Sequence, residues 1–246
     1  MGSLTEHSHK CLVPLAGKRL LEWQLEALHA AGVEDVIAVV GYRKEQITPL
    51  VPATVENPEW ESTNMVASLL CARDVLRSGT AIICYADLCF HPRAVRRLLE
   101  LDAGIAITYD RRWLELWGER FADPLEDAET FVQRDGRLVE IGRRTDDLAL
   151  IGGQYMGLIR TDPAGWDRLE RIVNGLDETQ RRRLDMTSLL GRALAEKVEI
   201  AVVPVDGGWV EVDSEDDVRL YEERIRTVDR GGPAWSHDWR TLGAGG

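Results

Sequence analysis

No stretch of the 246 residues is apolar for long enough to cross a bilayer, and the first residues lack the charged-then-apolar order of a secretory leader. A soluble, cytoplasmic protein is therefore expected. CxxC spacing is also missing: Cys11, Cys71, Cys84 and Cys89 are scattered through apolar segments, which argues against a zinc-thiolate site or a disulfide framework and for buried thiols. Positive charge is in short supply, with 30 Lys and Arg against 42 Asp and Glu and a formal net charge of −12. This excludes a general nucleic-acid surface, because affinity for a phosphate backbone comes from clustered basic side chains. An anionic ligand must instead meet a local basic site. The pairs Arg111 with Arg112 and Arg143 with Arg144 are candidates, whereas the run Arg181, Arg182 and Arg183 reads as a solvated face ahead of a helix start at Asp185.

What the chain does have is a hydrophobic content of 44%, enough for one large α/β domain over residues 1–230, followed by a Gly-rich tail over 231–246. Helix and strand patterns alternate in the first half, the signature of βαβ units and a mainly parallel sheet flanked by helices. Leu20, Leu21, Trp23, Leu25 and Leu28 give a helix ended by Gly32, and residues 36–40 form a short apolar strand of the kind buried on both faces. Asn64 suits the cap of a helix through Leu76; strands follow over 80–85 and 104–109, with a helix opened by Pro92 between them. Residues 129–132, an Asp135-Gly136 turn and 138–141 read as a β-hairpin inserted outside the parallel sheet. A strand over 154–159, helices near 163–173 and 185–196, strands near 198–203 and 209–212 and a helix from about 214 to 228 complete the domain. The tail holds Trp235 and Trp239, and is either loose or pinned by those two indoles.

Three charged residues stand where ligand chemistry is expected. Asp87 follows the apolar strand AIICYA, at the carboxyl edge where open α/β sheets bind ligands; its plain alternative is a turn or capping Asp ahead of Pro92. Asp213 ends GGWVEVD, just before SEDD, whose Ser214, Asp216 and Asp217 suit the first turn of a helix. Lys10 lies in HKCLVPL, and alone would read as an exposed lysine.

Together these segments resemble the nucleotidyltransferases that join a nucleoside triphosphate to a small phosphorylated acceptor, over nearly the whole chain from Ser3 to about Glu222. In that family a buried strand and a glycine-rich turn, LAAGxGxR, precede a segment like HKCLVPL. Met1 and Gly2 fall where the end of that turn would lie, so the first strand and the glycine-rich loop are expected to be missing, and an in-frame upstream extension is expected to encode them. The resemblance implies a Rossmann-like fold in which Asp87 and Asp213 hold Mg²⁺ and Lys10 supports the phosphates. Lys18, in AGKRLL, matches a basic position in relatives and equally suits a helix start.

The stretch NPEWESTNMVAS resembles the one that reads base and ribose, with Thr63, Asn64 and Ser68 as donors and acceptors, and the pattern TNMVxSL implies CTP. Acceptors in that branch include phosphocholine and small phosphonates. A trimethylammonium group wants carboxylates or an aromatic cage, for which Trp113, Trp117, Tyr155 and Trp209 are candidates; an acidic phosphonate wants Arg111, Arg112, Arg143 or Arg144. TYDRRWLELW, DAETF, EIGRR and GGQYMGL look closest to the phosphonate cytidylyltransferases of natural-product and antibiotic pathways, which implies an acceptor such as phosphonoformate. Transfer to phosphocholine or a sugar phosphate is the alternative within the chemistry. A non-catalytic nucleotide-binding protein is the alternative outside it.

Overall fold

The computed structural model describes residues 9–240, so Met1, Gly2 and the last six residues of the tail lie outside the described residues. Pro14–Leu15 (β1) and Lys18–Arg19 (β2) form a tight hairpin, turned by Ala16 and Gly17 at positive φ, that leads into Leu20–Ala30 (α1). The helix buries Leu20, Leu21, Gln24, Ala27 and Leu28. Ile37–Val40 (β3) pairs in parallel with Ala53–Glu56 (β4), and these two strands form a sheet of their own. The expectation of a strand buried on both faces is corrected here: Ile37 is 36% exposed and only Val40 of β3 is buried, because β4 is its sole strand neighbour among the described residues.

Met65–Cys71 (α2) and Arg73–Ser78 (α3) replace the single helix expected from Asn64 to Leu76, with the break at Ala72. There follow Ala81–Cys84 (β5), Leu88–Phe90 (β6), Pro92–Leu99 (α4), Ile105–Asp110 (β7), Trp113–Arg120 (α5), Glu129–Arg134 (β8) and Arg137–Arg144 (β9). Gln154–Thr161 (β10), Pro163–Asn174 (α6), Glu178–Arg183 (α7), Met186–Ala195 (α8), Ala201–Val205 (β11), Trp209–Glu211 (β12) and Glu215–Asp229 (α9) complete the order.

The main sheet runs β5-β10-β7-β11-β9-β8. β7 and β11 are parallel and β10 lies antiparallel to both β5 and β7, so β5, β7 and β11 share one direction and end at one edge. β8 and β9 form the expected hairpin, but not outside the sheet: the Leu138 N–H donates to the Ile200 carbonyl and the Val202 N–H to the Gly136 carbonyl, which makes the hairpin the sheet's far margin. All six residues of β7 are buried. Ala106 packs into a cluster with α1, α4, α5 and α9, while Ile105 and Ile107 face a second cluster with α2, α3, α6 and α8. That alternation is the two-residue period of a strand covered by helices on both faces. Among the described residues no helix is long and apolar enough to cross a membrane.

The small antiparallel pair β6 with β12 matters most for function. It sets Glu211 opposite Leu88, and the Val212 N–H donates to the Asp87 carbonyl at 3.0 Å. Two aspartates 126 positions apart in sequence are thereby placed on neighbouring turns.

Candidate active site

Asp87 sits in the turn between β5 and β6, at the carboxyl edge of the main sheet. Asp213 follows β12 and precedes the cap of α9, where Ser214 and Asp217 bond reciprocally to each other's backbone N–H. Ser214 therefore does the capping and leaves Asp213 free to turn inward. Lys10, from the short 3₁₀ turn Lys10–Leu12, brings the two together: its Nζ donates to Asp87 Oδ2 and to Asp213 Oδ1, both at 2.6 Å. Burial works to lower the Lys10 pKa, but the charges and hydrogen bonds of Asp87 and Asp213 outweigh it and raise it, so the ammonium stays charged. Burial likewise works to raise the Asp213 pKa. Lys10 and Arg120 override that and hold the carboxyl below the usual range.

Arg120 and Glu211 belong to this cluster and were missed from sequence. The Arg120 guanidinium, 1% exposed at the end of α5, donates to Glu211 Oε1 at 2.6 Å, to Asp213 Oδ2 at 2.8 Å and to Asp217 Oδ1 at 2.9 Å, and it lies over the rings of Trp117 and Phe121. Burial pushes the Glu211 carboxyl up to about 8, against the pull of Arg120 and with the help of the Asp213 and Asp87 charges. Two cations thus face four carboxylates. Asp87 Oδ1 is buried and has no hydrogen-bond partner. Among the described residues no three His, Cys, Asp or Glu side chains form a complete metal cage. The spacing in VEVD was the available signal for Glu211, since residues two apart on a strand share a face. Arg120, closing the helix WLELWGER, carried none.

Thr63 and Ser68 are drawn together by the buried Asn57, whose Nδ2 donates to Thr63 Oγ1 at 3.0 Å and to Ser68 Oγ at 3.1 Å. Asn64 caps α2, accepting from the Met65 N–H at 2.7 Å, and its amide donates to the Arg183 carbonyl at 3.2 Å. No hydrogen bond links these three to Lys10, Asp87 or Asp213 among the described residues.

The arginines each hold a partner of their own: Arg111 bonds Asp206, Arg112 bonds Glu115, Arg143 bonds Glu140, and Arg144 donates to the Glu126 carbonyl. Trp113, Trp117 and Trp209 are core residues, with the Trp209 indole donating to Asp110 at 2.9 Å. Tyr155 is different. It stands edge-on to Tyr85, ring centres 6.1 Å apart, and its buried hydroxyl finds no well-placed partner. Burial raises the Tyr85 pKa, the contact with the Tyr155 hydroxyl works to lower it, and the charges of Asp87, Asp185 and Glu211 raise it. Glu129 lies in the field of Asp185, Arg144 and Asp127, and Asp127 in that of Arg120, Asp213 and Arg144.

Comparison with known proteins gives the family and the fold. The chain is 32% identical over 239 residues to a CTP:phosphoglutamine cytidylyltransferase of Campylobacter jejuni, covering 90% of this chain and 94% of that one. It is 28% identical over 236 residues to a 2-aminoethylphosphonate cytidylyltransferase of Lancefieldella rimae, covering 90% and 87%. In fold it matches the inositol-1-phosphate CTP transferase of T. maritima (TM-score 0.70, 20% identity, 94% and 92% covered). It also matches the CTP:phosphocholine cytidylyltransferase of Streptococcus pneumoniae (TM-score 0.72, 21% identity, 92% and 93% covered). Residues 1–148 match the MobA-like NTP transferase domain, and with a Lys bridging two aspartates at the sheet edge the chain belongs to that family of nucleotidyltransferases.

Proposed function

We propose that the protein is a cytidylyltransferase: a phosphate or phosphonate oxygen of a small acceptor attacks the α-phosphorus of CTP, the bond to the β-phosphate breaks, and pyrophosphate leaves. The observation that carries this reading is Lys10 held between Asp87 and Asp213, a fixed ammonium at the ligand-binding edge of an α/β sheet. In-line phosphoryl transfer asks mainly for positioning and charge stabilisation, and no covalent enzyme intermediate is needed. Lys10 supplies a point charge toward the phosphates. Thr63 and Ser68, fixed by Asn57, offer hydroxyls for the base and ribose.

Mg²⁺ fits the residues present, since Asp87 has an unpartnered buried oxygen and carboxylates outnumber cations. Asp87 and Asp213 would hold it with the substrate's phosphates completing the shell, and when bound it neutralises charge on the phosphate oxygens.

For the acceptor, an acidic phosphonate such as phosphonoformate, in a natural-product pathway, would draw on Arg144, the arginine that shares a field with Asp127 and Glu129. A second reading has a specific observation in its favour: the charges of Asp87, Asp185 and Glu211 act on Tyr85 of the edge-on Tyr85–Tyr155 pair, and Glu129 lies in the field of Asp185, a setting suited to an acceptor bearing an amine or a quaternary ammonium. Pyrophosphate release with CTP, measured over phosphonoformate, 2-aminoethylphosphonate and phosphocholine, tests both. Turnover with the amine-bearing acceptors alone supports the second reading, and turnover with phosphonoformate alone restores the first. Release with another nucleoside triphosphate in preference to CTP would sink the cytidylyl assignment.

A further inference from the structure

Residues 235–240 leave α9 and return to the core. His237 is fully buried and Trp239 is 2% exposed. His237 Nε2–H donates to Asp110 Oδ2 at 2.8 Å, and Nδ1 lies 2.9 Å from Ser236 Oγ, itself 3.1 Å from Glu115 Oε2. Asp110, at the end of β7, is also fully buried, and its carboxylate accepts the backbone N–H of Gly207 and of Arg112 and the indole N–H of Trp209, each at 2.9 Å. Four donors on one carboxylate fix its position. The backbone joins in: the Gly208 N–H donates to the Ser236 carbonyl at 2.8 Å, and a Cβ on Gly207, which has φ +66°, would come within 2.2 Å of that same oxygen.

From this anchor two mechanical paths lead to the active site. Trp209 opens β12, the strand that carries Glu211 and delivers Asp213 two residues later, and Val212 of that run is hydrogen-bonded to the Asp87 carbonyl. On the other path, Trp239 packs edge-on against Trp23 of α1, ring centres 5.9 Å apart. The neighbouring Gln24 donates to the carbonyls of Tyr85 at 2.8 Å and Leu88 at 2.9 Å, which flank Asp87. Arg240 closes the far end on Asp229 of α9, at 3.0 and 3.2 Å.

We propose that the segment 235–240 is a brace for the active site, with His237 and Trp239 as positioning residues that set the spacing of Asp87 and Asp213. The brace touches neither aspartate. It holds β12 through Asp110 and Trp209 and the Asp87 turn through α1, so the two carboxylates keep their separation when Lys10 is drawn away by a bound triphosphate. The inference rests on the assignment of Asp87 and Asp213 to the nucleotide site.

The test is His237→Ala, with His237→Gln as the conservative partner, because a glutamine amide can still donate to Asp110. In the full-length protein, backbone amide exchange should rise at Val212, the direct link between the two aspartate segments, while Val203 in the main sheet stays protected. In turnover with CTP and a working acceptor, His237→Ala should lower kcat by about 10- to 100-fold, the range for a small misplacement of reacting groups, with the CTP KM changed far less. It should also raise the Mg²⁺ concentration needed for half-maximal rate. His237→Gln should recover most of both. If His237→Ala does not fold, Trp239→Phe tests the second path by the same readouts. Unchanged Val212 exchange in folded variants would overturn the brace, as would a kcat and Mg²⁺ requirement equal to wild type. Loss of protection at Val212 in His237→Ala, together with a wild-type protein that turns over no acceptor, would keep the brace and remove the cytidylyl assignment, so the two failures are distinct.

Discussion

Lys10 is held by two full hydrogen bonds to carboxylates, so its ammonium is placed without rotamer search, and the same bonds keep it charged. Lys10→Met keeps the stem and removes the charge, and Asp87→Asn and Asp213→Asn keep volume and remove a ligand charge. Each is expected to lower kcat by about 100-fold or more while the far-UV circular dichroism stays that of the wild type, the cost typical of losing one charge-stabilising group. Near-normal turnover of any one, with Mg²⁺ as the only metal, removes that residue from the site. That these three side chains meet was legible in the sequence, because each stands in a short motif with a definite place on the fold. Arg120 was not, since a lone arginine ending an exposed-looking helix acquires its role only when α5 packs beside β12 and four carboxylate oxygens converge on it. The partners of the arginine pairs were equally out of reach of the sequence: adjacency suggests a clamp, and only the fold brings carboxylates at 206, 115 and 140 onto three of the four.

At the scale of elements, periodicity and capping found most helices and strands, and failed where tertiary pairing decides. The hairpin β8–β9 reads from its turn residues, but whether it adds to the sheet depends on β11, some sixty residues on. The tail was undecided in sequence because two indoles can pin a segment only if a pocket awaits them. That pocket is made by Trp23, Tyr221 and the Asp110 carboxylate. Burial works to raise the Asp110 pKa, but the hydrogen bond and charge of His237, with the Gly207 and Trp209 N–H groups, hold it below the usual carboxylate range. A carboxyl depressed on folding contributes stability that is present above its unfolded pKa, about 3.9, and is lost as the pH falls through the lower folded value. Tail docking should therefore persist from neutrality down past pH ~4 and release only below it. The Trp209 indole N–H resonance, bonded to Asp110, reports this directly; a midpoint above about 3.9 would contradict a depressed carboxyl.

For the molecule as a whole, the balance of charge sets the order in which ligands can bind. The chain carries a formal net charge of −12, and the site itself gathers Asp87, Glu211, Asp213 and Asp217 around two cations. A triphosphate entering such a site meets repulsion unless a divalent cation comes with it, because like charges at short range in a partly buried setting are weakly screened. Ligand that binds only the folded state stabilises it by about 2.7 kcal/mol at a concentration 100 times its Kd, roughly 5–10 °C in Tm for a domain of this size. CTP with Mg²⁺ is expected to give a shift of that order, CTP with EDTA a much smaller one, and Mg²⁺ alone little, since two aspartates without phosphate oxygens leave most of the ion's shell to water. Asp87→Asn should reduce the CTP–Mg²⁺ shift toward the EDTA value without changing the Tm of the free protein greatly. An equal shift with and without EDTA would mean that the carboxylates serve to hold Lys10 alone, and that the phosphates are met entirely by the protein's own cations.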